Sequence, residues 1–222
     1  MAKRIKLNRI SPHKKGIFEL TDELLEGGVG LIPTDSQYAL VCDYKNKKGI
    51  EKIRQIRKVG KKSHLTVMCH SLEHTATFAH LSDRNFKLIK KLIPGPYTFI
   101  LPATREVPRL LTHPKKRTVG IRVPDNEICL GLIHELGRPI LAITGKMPDV
   151  EFGSPDDGDR TLYLSRFDKV VDVIVDDLEE LSSEPTTVVD LTDDVPVLTR
   201  KGLGLENLTE ALKLQNLELD HA

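Results

Sequence analysis

Between residues 27 and 40 the chain runs Gly-Gly-Val-Gly-Leu-Ile-Pro-Thr-Asp-Ser-Gln-Tyr-Ala-Leu, an apolar stretch that stops at a proline and turns into hydroxyls and a carboxylate. Gly27 and Gly28 follow an amphipathic segment and can take the positive φ of a helix C-cap, so a new element must begin after them. Val29 to Ile32 supply a buried strand. Pro33 removes the next backbone donor, and Thr34, Asp35 and Ser36 then set three short polar side chains at the strand's carboxyl end, where open α/β sheets bind ligands. A polar turn between two strands fits these residues equally well.

The rest of the chain alternates in the same way between helical and strand periods. Arg4 to Ile10 alternates charged and apolar residues like a half-buried edge strand. Ser11-Pro12 offers an N-cap and first-turn proline for a helix burying Ile17, Leu20, Leu24 and Leu25. Gln37 to Cys42 doubles back as a strand, and Asn46 to Lys58 reads as a basic amphipathic helix. Leu65 to Cys69 is a short strand; Ser71 and Ser82 cap two helices, the second burying Phe86, Ile89, Leu92 and Ile93. Strands follow at Tyr97 to Leu101 and Thr118 to Val123, then a helix from Asn126 to Gly137 and a strand from Pro139 to Ile143. Pro148 to Gly158 is too polar to pack and reads as a loop. Val170 to Val175, Thr187 to Leu191 and Val195 to Thr199 are β-branched strand candidates, and 207–217 is a last amphipathic helix. Short hairpins mixed with helix-long connections predict an α/β fold with a twisted, mixed parallel and antiparallel sheet. At 222 residues and 39% hydrophobic content one core suffices, so 1–222 is expected to be a single domain, its core spanning about 10–202.

The net charge of +1 hides an asymmetry. From Lys45 to Arg122 there are nineteen Lys and Arg against four Asp and Glu, and from Asp149 to Asp194 fifteen acidic residues against three basic. Such a split predicts a positive face for polyanions, nucleotide phosphates or RNA, although a solvated surface also accounts for it. Cys42, Cys69 and Cys129 are odd in number and widely spaced, as in a reduced, cytoplasmic protein. With no signal peptide and no membrane-length apolar run, no membrane partner is expected.

Two familiar chemistries are set aside. Gly60-Lys61-Lys62-Ser63 has Gln55 where a phosphate-binding P-loop needs glycine, and His70, Glu73 and His74 lack a third metal ligand of evident placement, so no metal site is expected. More informative is that polar residues recur where apolar strands end: Thr34 to Ser36, Arg122, Thr144 to Lys146, Thr186 with Thr187, and Arg200. If those ends converge, they form a concave, positively charged cavity. Arginine grips carboxylates and phosphates by two-pronged, charge-assisted bonds and hydroxyls orient the remaining oxygens, so the inventory suits a nucleotide and a small acid. Taken singly, each is also an ordinary strand-end polar residue.

Five segments in register carry a resemblance: Pro33-Thr34-Asp35-Ser36-x-Tyr38-x-Leu40, Pro94-Gly95-Pro96-x-Thr98-x-x-Leu101, Gly120-Ile121-Arg122-Val123-Pro124, Pro185-Thr186-Thr187-Val188-Val189-Asp190-Leu191 and Arg200-x-Gly202. Together they resemble the YrdC-like proteins. The resemblance implies a threonylcarbamoyl-AMP synthase: L-threonine, bicarbonate and ATP with Mg²⁺ give threonylcarbamoyl-AMP, for tRNA modification, and pyrophosphate. It assigns Arg57 and Lys146 to catalysis, Thr34, Ser36 and Arg122 to the acid substrate, and Thr144, Thr186 and Arg200 to the nucleotide. Where such synthases carry Lys-x-Arg this chain has Arg57-Lys58-Val59, and where they carry Ser-x-Asn it has Thr144-Gly145-Lys146. These departures make it most similar to the YciO branch. The alternative implied by other members is a protein binding double-stranded RNA or tRNA without synthase activity; low aromatic content argues against base stacking as its grip.

Overall fold

The computed structural model describes residues 1–60, 65–148, 159–180 and 182–221. In chain order its elements are β1 (Lys3–Lys6), α1 (Lys14–Leu25), β2 (Val29–Ile32), β3 (Ala39–Asp43), α2 (Lys47–Ile56), β4 (Thr66–Met68), α3 (Leu72–Phe78), α4 (Asp83–Leu92), β5 (Tyr97–Pro102), β6 (Thr118–Arg122), α5 (Glu127–Leu136), β7 (Ile140–Thr144), α6 (Arg160–Ser165), β8 (Val173–Asp176), β9 (Thr187–Asp190), β10 (Val197–Arg200), α7 (Leu205–Lys213) and β11 (Asp220–His221). They fall into two compact units, Met1–Gly60 with Asn126–Ser183, and Lys61–Asp125 with Glu184–Ala222.

The first unit holds strands in the order β1-β8-β2-β3-β7. β1 and β2 both run parallel to β8, while β3 is antiparallel to β2 and to β7. Every residue of β2 and β3 is buried, which is why these strands read as continuous apolar runs rather than alternations. α1 packs on α5. Four acidic residues of this unit are held in ion pairs: Asp168 with Arg4, Asp172 with Lys52, Asp176 with Arg160 and Asp177 with Arg9.

In the second unit the order is β4-β6-β5-β9-β10-β11. β6 is parallel to β4 and antiparallel to β5, β5 is parallel to β9, β9 is antiparallel to β10, and β10 is parallel to β11. α4 packs against α7. Within each unit the strands therefore mix the two pairing modes, as the connection lengths require.

Local signals place several boundaries where sequence alone predicts them. Asn126 accepts from the amides of Ile128 and Cys129 to start α5, and Gly137 at φ 63° ends it. Ser71 and Ser82 cap α3 and α4, and Gly27 takes φ 96° after α1. Four expectations are corrected. The cap of α1 is His13, whose ring accepts from the Gly16 amide, not Ser11. Leu25 is 52% exposed, because the buried stripe of α1 is Ile17, Leu20, Thr21 and Leu24. Phe86 is also exposed: α4 buries Asn85, Leu88, Ile89 and Leu92, and Asn85 uses its inward place to donate to the Leu191 carbonyl at 3.0 Å. The last helix begins earlier, at Leu205, and ends at Lys213. Most of the loop expected from Pro148 to Gly158, like Lys61 to Ser63, lies outside the described residues.

Candidate functional site

In the first unit β2 delivers Thr34 and Ser36 to a tight turn. Thr34, 1% exposed, donates its hydroxyl to the Gln37 carbonyl at 2.7 Å and accepts the Ser36 amide at 3.1 Å. The two hydroxyls stand 3.1 Å apart. This is a hydroxyl-stabilised turn. The next two residues anchor it: the Gln37 amide donates to the Ser183 carbonyl at 2.6 Å, and the Tyr38 hydroxyl to Asp177 at 2.8 Å. Burial, then the Asp177 charge, raises the Tyr38 pKa far above its ordinary value, so its phenol stays protonated.

Thr144 ends β7 opposite Ala39 on β3. After it, the Gly145 amide donates to the Tyr38 carbonyl at 2.7 Å, and the Gly145 carbonyl accepts the Tyr163 hydroxyl at 2.6 Å. A Cβ at Gly145 would stand 2.7 Å from Leu31 Cδ1, 2.8 Å from the Tyr163 hydroxyl and 3.0 Å from the Tyr38 carbonyl oxygen, so a larger residue would push these neighbours back. Arg57, the C-cap of α2, reaches the Lys146 carbonyl with one terminal nitrogen at 2.8 Å. Its helix closes with Lys58 at φ 48°, the Lys58 amide on the Gln55 carbonyl and the Val59 amide on that of Arg54. Burial draws the Arg57 pKa below the ordinary guanidinium value, opposed by Tyr163.

In the second unit β6 ends at Arg122, 6% exposed, whose carbonyl accepts the Cys69 amide at 2.8 Å. Thr186, 4% exposed, stands with its hydroxyl 3.4 Å from that of Thr98. Arg200 grips Thr186 twice, Nε to the carbonyl at 3.0 Å and a terminal nitrogen to the hydroxyl at 2.6 Å. Arg200 as a residue is exposed, yet its guanidinium is partly desolvated; burial and then the charge of Arg122 lower its pKa. The neighbouring Thr187 hydroxyl lies 2.9 Å and 2.7 Å from the carbonyls of Gly202 and Leu203.

Within the first unit the structure thus brings together Thr34 with Ser36, and Arg57 with the Thr144–Lys146 strand end. Within the second it brings Arg122, Thr186 and Arg200 near one another. Sequence reasoning did not single out Thr98, Tyr163, or the Arg9–Asp177 partnership of Tyr38. Thr98 and Tyr38 stand inside motifs already noted, which was a usable signal; Arg9, Asp177 and Tyr163 carry none, since their relation to the site exists only in three dimensions.

Mixed parallel and antiparallel strands alternating with helices define an α/β protein. The chain belongs to the Sua5/YciO/YrdC family, whose model, described as telomere recombination, matches residues 22–202. Escherichia coli K12 YciO, an uncharacterized protein, is 39% identical over 194 residues, covering 87% of this chain and 92% of YciO. The crystal structure of E. coli YciO matches at a TM-score of 0.85 with 38% identity, covering 92% of this chain and 97% of that one. The threonylcarbamoyl-AMP synthase of Pyrococcus abyssi is 29% identical over 189 residues, 84% of this chain but 54% of the synthase. P. abyssi Sua5 complexed with L-threonine matches at a TM-score of 0.82 with 25% identity over 99% of this chain and 62% of that one. No helix among the described residues is long and apolar enough to cross a membrane.

Proposed function

We propose that the chain is an adenylate-forming enzyme of the threonylcarbamoyl-AMP synthase type, with slow turnover or an altered acid substrate. The observation that supports this reading is geometric: Arg200 holds the buried Thr186 by its carbonyl at 3.0 Å and its hydroxyl at 2.6 Å, and the Thr98 hydroxyl lies 3.4 Å from that of Thr186, an arrangement of a guanidinium and two hydroxyls suited to an anionic ligand. An oxygen of the N-carboxylated amino acid attacks the α-phosphorus of ATP; the bond from that phosphorus to the α,β-bridging oxygen breaks, and pyrophosphate leaves with the electron pair. Such a step asks the protein for positioning and charge neutralisation rather than for a nucleophile. In this reading Thr34, Ser36 and Arg122 hold the acid, Thr144, Thr186 and Arg200 the nucleotide, and Arg57 and Lys146 offset charge developing at the phosphates, with Mg²⁺ carried in on ATP.

The test is to mix protein, ATP, Mg²⁺, bicarbonate and L-threonine and follow pyrophosphate. Release that needs both threonine and bicarbonate is expected; none above a heat-inactivated control, with threonine or with any other amino acid in its place, overturns the proposal. A second reading, RNA binding without turnover, is favoured by the exposed Lys87, Lys90 and Lys91 on α4 and the exposed Arg105, Lys115, Lys116 and Arg117. Phosphate contacts of that kind give an affinity that falls steeply with salt, so gel shifts at two salt concentrations separate it from the first.

A further inference from the structure

Tyr38 is held at both ends. Its side chain, in a residue 4% exposed, donates to Asp177 Oδ1 at 2.8 Å and accepts the Asp177 amide at 3.4 Å. The other carboxylate oxygen of Asp177 takes Arg9 through Nε at 2.7 Å and a terminal nitrogen at 2.6 Å. The Asp177 side chain has no exposure at all, and a buried carboxylate is costly unless its lone pairs are filled, as Arg9 and Tyr38 fill them here. Packing does not require this charge, because a phenylalanine would fill the space of the Tyr38 ring.

What the hydroxyl fixes is the main chain of its own residue. The Tyr38 carbonyl receives the Gly145 amide at 2.7 Å, and the preceding carbonyl, of Gln37, receives the Thr34 hydroxyl at 2.7 Å. The Thr34–Ser36 turn and the Thr144–Lys146 strand end therefore hang on adjacent carbonyls of one segment. Across the strand end, Tyr163 meets Tyr38 edge-on with ring centroids 5.7 Å apart.

We infer that Arg9 and Asp177 are positioning residues which, through the Tyr38 hydroxyl, set the Thr34–Ser36 turn and Gly145 at one fixed spacing. The inference rests on the proposed function insofar as both places handle substrate, but its mechanical content stands without a ligand. Amide hydrogen exchange tests that content on the wild type, Tyr38→Phe, Arg9→Met and the conservative Arg9→Lys. Exchange about tenfold faster at Ser36 and Gly145 is expected in Y38F and R9M, with Leu31 and Val41 unchanged and R9K protected like the wild type. Unchanged rates at Ser36 and Gly145 overturn the inference, and so does equal acceleration at all four amides, which marks general loss of stability. Titration with L-threonine adds a second arm: about tenfold weaker binding to Y38F is expected, and an unchanged Kd there overturns the inference. A wild type that binds no threonine removes threonine as the acid of the functional proposal and leaves the exchange result to decide this one.

Discussion

Arg200 holds Thr186 by both its backbone and its side chain, Nε on the carbonyl at 3.0 Å and a terminal nitrogen on the hydroxyl at 2.6 Å. Lysine cannot reproduce that fork, since its ammonium is a single point of charge. Arg200→Lys is therefore expected to weaken ATP binding about tenfold or more, in line with the roughly 1.5–3 kcal/mol of a charge-assisted bond, and Thr186→Val to weaken it less. Calorimetric titration measures both; equal affinities for wild type and R200K would remove Arg200 from the nucleotide site.

The same segment depends on Gly202. A Cβ there would collide with the Pro185 carbonyl oxygen and lie 2.6 Å from the carbonyl carbon of Thr186, both backbone atoms. Backbone cannot swing away as a side-chain tip can, and the Leu203 amide bonds the Pro185 carbonyl at 2.9 Å in the same place. Gly202→Ala is expected to cost about 1–3 kcal/mol in denaturant unfolding, and to weaken ATP binding as Thr186 shifts. Wild-type stability in G202A would show that this contact is not tight in solution.

Asp43 and Arg138 form a two-pronged pair at 2.7 Å and 2.6 Å in the first unit. Burial pushes the Asp43 carboxyl up, but the hydrogen bonds of Arg138 and the Lys45 amide, with the charges of both residues, more than offset it, and its pKa sits below the ordinary value. A depressed carboxylate stabilises the fold above its unfolded pKa, and that contribution is lost as pH falls through the folded value. Arg138→Met should thus melt roughly 5 °C lower than wild type at neutral pH, for a loss of about 2 kcal/mol, with the gap closing below about pH 4. A gap that stays constant down to pH 2.5 would contradict the assignment.

How far such features can be read from residues alone depends on their range. β2 and the caps Asn126, Gly137, Ser71 and Ser82 are legible because each is decided within a few residues. The faces of α1 and α4 are less so: Leu25 and Phe86 lie next to the buried stripe, and Thr21 and Asn85, polar residues with internal partners, occupy the inward places instead. α6 escapes notice because its six residues follow a long polar tract and it is capped only by Asp159. In the candidate site, strand ends betray Thr34, Arg122, Thr144 and Arg200, since an apolar run that stops at a polar residue is a local signal. The tie of Tyr38 to Asp177 spans 139 residues, and no period or motif encodes it.

Lys146 offers the sharpest test of whether this chain is tuned away from threonine. Its main chain is held by Arg57, whose terminal nitrogen bonds the Lys146 carbonyl at 2.8 Å, and by its own amide on the Thr144 carbonyl at 2.9 Å. Both bonds run through the main chain, which Lys146→Asn retains, so the strand end is expected to stay in place. What changes is chemistry: an ammonium that only donates becomes an amide that donates and accepts, as in the synthases this chain resembles. Threonine-dependent pyrophosphate release should fall about tenfold, a loss of roughly 1.4 kcal/mol in transition-state stabilisation, because the ammonium that offsets charge at the phosphates is gone. Arg57→Met should lower stability as well as rate, since it also releases the Lys146 carbonyl. A K146N variant that turns over faster than wild type would take the ammonium off the phosphates and make the departure from the synthase pattern a tuning away from threonine.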